Sequence, residues 1–380
     1  MTAGRPSRTI TPPAPNPEAL PHDPSPHRSR VSPRVKTSVG VVCPDKFRGT
    51  LSAPEAAAAM ERGMRAAGFD EVRSVPLADG GEGTLDVLLS RGGSRRSVRV
   101  TGPLGDPVDA DYGLTPDSLA IVEMARASGL ALVTRNDPLR ASTRGTGELL
   151  AAAARTGARR AVVGVGGSAT TDGGLGALDA LGWSLGGLDV TVACDVRTPF
   201  LEAATRFGPQ KGASDAQIAL LTRRLERLAL EYERRTGVDV TTIEGAGAAG
   251  GLAGGLAALG ARLEPGFEVV AAEAGLAEAF DGADLVVTGE GRLDASSFAG
   301  KVVGGVLEWV AELGVPNRAV IAGQATPEAR DELSVLGPVQ LLVLTDRVWQ
   351  SGEAFARAAT LVQEAAIEAG RAALGVGPTR

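Results

Sequence analysis

The stretch Gly164-Val-Gly-Gly-Ser-Ala-Thr-Thr-Asp-Gly-Gly174 constrains this chain more than any other. It follows the apolar run Ala161-Val162-Val163 and leads into Leu175-Gly-Ala-Leu-Asp-Ala-Leu181, so it reads as strand, glycine loop and helix start. Glycines remove the Cβ atoms that would hold an anion away from backbone N–H groups, and a helix N-terminus adds partial positive charge at the same point. Gly166, Gly167 and Ser168 could therefore cradle a phosphate, with Thr170 and Thr171 as further hydroxyl donors. Asp172 is an acid where anions are favoured, which suits a bound cation or a substrate hydroxyl. A tight turn with Asp172 as helix N-cap fits this loop equally well.

The same design recurs along the chain, which carries 51 glycines in 380 residues. The strand Val39-Gly-Val-Val-Cys43 is followed by Pro44-Asp-Lys-Phe-Arg-Gly49 and by a helix over 53–67 with Ser52 as its N-cap. The strand at 71–77 runs into Asp79-Gly-Gly-Glu-Gly-Thr84 and a helix from about Leu85. Short strands at 98–100, 108–114 and 119–124 resemble an antiparallel sheet, and an Ala-rich helix follows the loop 137–147. Val190-Thr-Val-Ala-Cys-Asp195 delivers an aspartate at a strand end, Lys211 sits in a turn, and a charged amphipathic helix covers about 215–234. Gly245-Ala-Gly-Ala-Ala-Gly-Gly251 formally matches a dinucleotide fingerprint, but the segment before it is a poor buried strand; close packing of a small-residue helix is the better reading. The last third places Gly289-Glu-Gly-Arg-Leu-Asp294 after the strand 283–288, adds strands at 318–323 and 339–344, and ends in a helix over 353–372.

Composition narrows the chemistry. Only 3% of residues are aromatic and the net charge is -6, which argues against nucleic-acid partners. No segment reads as a secretion signal or a membrane span, and Cys43 and Cys194 fit a reducing cytoplasm. Both histidines, His22 and His27, lie in a Pro- and Arg-rich tail, residues 1–36, expected to be disordered. The body must then use Asp, Glu, Lys or Tyr as a general base, and any metal is expected to be a hard cation such as magnesium. Glycine loops, carboxylates, Lys and Arg together are the equipment of phosphoryl transfer, where positioning and charge neutralisation supply most of the catalysis.

Seven motifs in order then support a resemblance. Pro44-Asp-Lys-Phe-Arg-Gly49, Ala78-Asp-Gly-Gly-Glu-Gly-Thr84, Gly164–Gly174, Ala193-Cys-Asp-Val196, Phe207-Gly-Pro-Gln-Lys-Gly-Ala213, Gly245–Gly251 and Thr288-Gly-Glu-Gly-Arg-Leu-Asp294 resemble the type I glycerate kinases over about 39–367. The resemblance implies ATP-dependent phosphorylation of D-glycerate with Mg2+, usually at the 2-hydroxyl. It implies an α/β fold with a Rossmann-like parallel-sheet domain from both chain ends (37–96 and 283–380) and a second α/β domain (97–282) inserted between them. A cytoplasmic monomer or homodimer is expected. Strand-end position and these motifs together point to Asp195 as general base beside Lys211, and to Asp294 with Glu290 as magnesium partners. Arg292 and Lys301 are expected near the phosphates, and Asp45, Lys46, Arg48, Asp79, Glu82, Gly166, Gly167, Ser168 and Asp172 along the cleft. The chain departs from the family pattern at Arg48, usually Lys, at Thr171, often Asn, and in shortened stretches at 181–190 and 195–207. A glycerate 3-kinase, a kinase of another small hydroxy acid, a nicotinamide-dependent oxidoreductase and a non-catalytic metabolite sensor are the alternatives.

Overall fold

The computed structural model describes residues 37–348 and 351–376, so the expected N-terminal tail lies outside the described residues. Its strands are β1 (Val39–Val42), β2 (Glu71–Ser74), β3 (Ser94–Thr101), β4 (Pro107–Leu114), β5 (Leu119–Glu123), β6 (Arg160–Gly164), β7 (Asp189–Ala193), β8 (Arg262–Glu264), β9 (Leu285–Leu293), β10 (Asn317–Ala325) and β11 (Gln340–Val343). They form two sheets.

The first sheet has the order β11-β10-β9-β1-β2 and is parallel throughout. Both ends of the chain build it. From β1 the chain crosses through the helix Ala53–Ala67 to β2 at one edge, whereas β10 and β11 extend outward from β9 on the other side. The direction of winding thus reverses between β1 and β9, and open α/β sheets hold ligands at the carboxyl ends of strands beside such a reversal. Ser52 caps the helix Ala53–Ala67 as its sequence predicts, in a reciprocal capping box with Glu55, and Gly68 ends it in the left-handed conformation.

The second sheet has the order β3-β4-β5-β6-β7-β8. β3, β4 and β5 are antiparallel, as their alternating pattern predicts, and β5 to β8 are parallel. One hydrophobic core joins the two sheets: Val41 and Val286 of the first cluster with Ile121 and Val162 of the second, through Leu85, Phe267 and Val270 on the intervening helices. Among the described residues no helix is long and apolar enough to cross a membrane.

Three local expectations are corrected. β9 does not end at Thr288 but pairs with β10 as far as Leu293, because Gly289 lets the neighbouring backbone approach; a Cβ there would sit 2.0 Å from the Ile321 carbonyl oxygen. The helix expected over 353–372 is two helices, Ser351–Ala356 and Ala358–Ala373, separated at Arg357. The strand expected to reach Leu77 stops at Ser74, although Val75 and Leu77 still donate to the carbonyls of Val42 and Pro44.

The 245–251 glycines pack closely, as read from the sequence. Ala249, Gly250 and Gly251 interrupt the helix Ala248–Ala258 with left-handed torsions, and Gly250 lies against the backbone of the 164–174 loop. Gly250→Ala would place a methyl 1.9 Å from the Thr170 carbonyl oxygen at a φ of +70°. A loss of about 2–5 kcal/mol is expected from this crowding and torsional strain; urea unfolding that matches the unaltered chain would contradict the packing described.

Candidate active site

The strand ends of the two sheets meet backbone to backbone. A Cβ on Gly164, at the end of β6, would lie 2.4 Å from the Gly80 carbonyl oxygen, and one on Gly80 would lie 2.7 Å from the Ala193 Cβ. One on Gly266 would meet the Asp79 carbonyl oxygen at 2.1 Å. Only glycine fits there. This junction forms the floor of a cleft of about 510 Å³ that brings together Asp79, Gly166, Gly167, Ser168, Asp195, Lys211 and Lys301. An adjoining pocket of about 320 Å³ holds Asp45, Lys46, Arg48 and Glu82.

Carboxyl groups crowd this junction. Asp195 Oδ1 accepts the Gly266 N–H at 2.7 Å, which fixes the side chain, while the residue remains accessible from the cleft. Desolvation, then the neighbouring charge of Asp79, pushes its pKa up to about 7 against the pull of Gly266 and Lys301. Burial likewise lifts Asp45 to about 6, although Lys46 opposes the shift. Glu290 is pushed up to about 7, chiefly by burial, with Ser297 acting the other way and the charge of Asp45 adding to the rise. Glu290 Oε1 is buried without a hydrogen-bond partner. Raised carboxyl pKa values favour the folded chain below about pH 4, and that contribution is lost as the pH climbs through 6 to 7.

Lysines set the opposite charge. Lys211 is 3% exposed; its Nζ donates to the Thr170 carbonyl at 2.5 Å and to Ser168 Oγ at 3.2 Å, and stands 5.8 Å from the Phe207 ring centre. Burial lowers its pKa to about 8, partly offset by the charge of Asp172. At neutral pH Lys211 therefore remains largely a cation, fixed on the same loop as Ser168. Lys46 instead ties two loops together, donating to the Glu82 carbonyl at 2.8 Å with Asp45 Oδ1 at 3.8 Å. Lys301 lines the cleft, and its charge acts on Asp195, Asp45, Glu290 and Asp294.

The structure separates Asp172 from this group, correcting its expected place along the cleft. The side chain is buried, and its oxygens accept from the Thr143 N–H and hydroxyl at 2.8 and 2.9 Å and from the N–H groups of Gly174 and Gly176. It ties the N-terminus of the helix Leu175–Ala180 to the 137–147 loop, but the N-cap position itself is Gly174, two residues beyond the one read from the sequence. That loop's hydroxyls are also used internally: Thr143 bonds Ala177, and Thr146 bonds Ser128. Asp294 caps a short 3-10 helix through Ser296, whose hydrogen bonds hold its pKa below the ordinary value. Arg292 is exposed, 3.9 Å from Asp294.

Two positioning residues escape sequence reasoning. Glu123 ends β5, where its buried carboxylate accepts the N–H groups of Gly83 and Leu85 and pairs with Arg126 at 2.6 Å, fixing the Asp79–Glu82 loop. A charged residue closing the apolar run Leu119–Val122 is its signal. Asn136 Nδ2 donates to the carbonyls of Ala169 and Lys211, and nothing local in the sequence marks it. Asp172→Ala would leave several buried donors unpaired, at an expected cost of about 2–4 kcal/mol in urea unfolding. A variant as stable as the parent that bound substrate less well would contradict this structural role.

The sequence and the fold match known proteins. The profile of the glycerate kinase family matches residues 40–187 and 183–374 in two pieces, which overlap at a turn with left-handed Gly182, Trp183, Gly186 and Gly187. The chain is 43% identical over 305 residues to glycerate 2-kinase of Escherichia coli K12, covering 70% of this chain and 80% of that protein. It is 39% identical over 365 residues to the glycerate kinase of Halalkalibacterium halodurans, covering 86% and 96%. A crystal structure designated glycerate kinase 2, from Salmonella typhimurium LT2, superposes with a TM-score of 0.78 at 34% identity, covering 89% of this chain and 99% of that one. This chain is an enzyme and belongs to the glycerate kinase family.

Proposed function

We propose that the protein transfers the γ-phosphoryl group of ATP to D-glycerate, at the 2-hydroxyl. The observation that carries this reading is the meeting of Asp195, Lys211 and Lys301 in one cleft floored by glycine backbone. Asp195 lines the cleft and is held by the Gly266 N–H, and desolvation with the charge of Asp79 pushes its pKa up to about 7. It accepts the proton as the hydroxyl oxygen bonds to the γ-phosphorus and the bridging bond to the β-phosphate breaks, releasing ADP. Lys211 and Lys301 offset the charge of the glycerate carboxylate and the transferring phosphate. Gly166 and Gly167 allow phosphate oxygens to reach backbone N–H groups.

The residues present fit a magnesium ion. Glu290 offers a buried oxygen without a partner, and Asp294 and Asp45 lie within its electrostatic reach. Among the described residues no three His, Cys, Asp or Glu side chains are grouped to hold a metal alone. Magnesium at kinase sites is commonly held by one or two carboxylates with phosphates and water, so Glu290 and Asp294 would suffice. Bound there, the ion would neutralise charge on the phosphates. The name of the Escherichia coli relative supports the 2-hydroxyl as acceptor.

Phosphorus NMR of a reaction with ATP, magnesium and D-glycerate tests substrate and position together. Formation of 2-phosphoglycerate is expected; 3-phosphoglycerate would overturn the acceptor assignment, and no product with any hydroxy acid would overturn the activity. The rate at limiting glycerate should fall as pH drops below about 7, because protonated Asp195 cannot accept the hydroxyl proton. Asp195→Asn should lose at least about a hundredfold in kcat while still binding ATP; near-normal turnover would remove Asp195 as base.

A further inference from the structure

A third pocket, of about 240 Å³, opens at the carboxyl ends of β9, β10 and β11, beside the β1–β9 reversal. Its inner walls are apolar: Phe47 is 1% exposed and Leu344 2%, with Ala354 and Ala358 beside them. At its rim Phe355 is 56% exposed, so its ring is open to a ligand entering the pocket. Gln324 and Thr345 line the same space and carry amide and hydroxyl groups that can donate and accept. Arg48 and Arg292 line it too. Among the described residues Arg48 makes no ion pair, and it also borders the pocket that holds Asp45 and Glu82.

From this geometry we infer that the pocket receives the adenine ring of the phosphate donor, with Phe355 stacking on the base and Arg48 and Arg292 guiding the phosphates toward Lys301. The inference rests on the reading that ATP is the donor and adds where its base binds and which residues select it. A planar base has apolar faces and a polar edge, and this pocket offers apolar walls with Gln324 and Thr345 as polar partners. The cations lie on the side leading to the reaction centre: Arg292 stands beside Asp294, whose carboxylate responds to the charge of Lys301. The main cleft is left for glycerate and the γ-phosphate. The position also agrees with the general placement of nucleotides at the winding reversal of an open α/β sheet.

The test uses the full chain and two readouts. Phe355→Ala, at an exposed position, should raise KM for ATP about tenfold, the loss expected of one base–aromatic stack, with KM for D-glycerate and kcat at saturating ATP within about twofold. Photolabelling with 8-azido-ADP, mapped by mass spectrometry, should mark residues 323–325, 344–346 or 354–358, and excess ATP should suppress the mark. If the unaltered chain uses ATP but Phe355→Ala leaves its KM unchanged, or the label falls on another segment, the subsite is overturned and the donor assignment survives. If the unaltered chain neither turns over ATP nor shows ATP-suppressible labelling, the donor assignment fails and the subsite falls with it.

Discussion

Backbone contact without side chains is the constraint on which this site depends. Where the strand ends of the two sheets touch, Gly80, Gly164 and Gly266 leave no room for a Cβ, and the opposing atoms are mainly carbonyl oxygens rather than flexible side chains. The sheets cannot come this close by any other means. Because they do, the turns after β2, β6 and β7 share one cleft, and Asp79, Ser168 and Asp195 face Lys301 from a chain segment more than a hundred residues later. The joint is reinforced from outside: Glu123 fixes the turn after β2, and the Gly266 N–H fixes Asp195.

The same closeness sets the electrostatics. Carboxyl groups drawn out of water and toward one another rise toward neutral pKa values, as Asp45, Asp195 and Glu290 do, and buried Lys211 falls. Each shift opposes the charged form and therefore works against folding near neutral pH. Functional sites commonly carry such an opposition between stability and chemistry. Here desolvation and the charge of Asp79 push Asp195 up to about 7, in a body whose described residues contain no histidine.

Much of this was legible in the sequence, for a definable reason. Strand, glycine turn, acid and helix follow one another locally, so the order of strands and helices, the Ser52 cap and the antiparallel β3–β5 segment could be read residue by residue. Asp172 and Asp195 could not be ranked this way. Both follow a strand, but Asp172 is held by Thr143, 29 residues away, whereas Asp195 is held by Gly266, 71 residues later. Partners so distant belong to the tertiary fold. Glu123 and Asn136 escaped notice for the same reason, since their value lies in the backbone groups they hold. The continuation of β9 through Gly289 also depends on a neighbour, β10, which a local glycine pattern cannot announce.

The glycine joint places Asp195 of one sheet within the field of Lys301 beside the other. Carbon-13 NMR of the aspartate carboxyls, with Asp195 assigned by its absence in Asp195→Asn, measures this directly. Titration near pH 7 is expected in the unaltered chain and a further rise in Lys301→Met, because removing the cation removes a charge that lowers the pKa. An Asp195 that titrated near 4 and ignored Lys301→Met would contradict the convergence of the two sheets on one cleft.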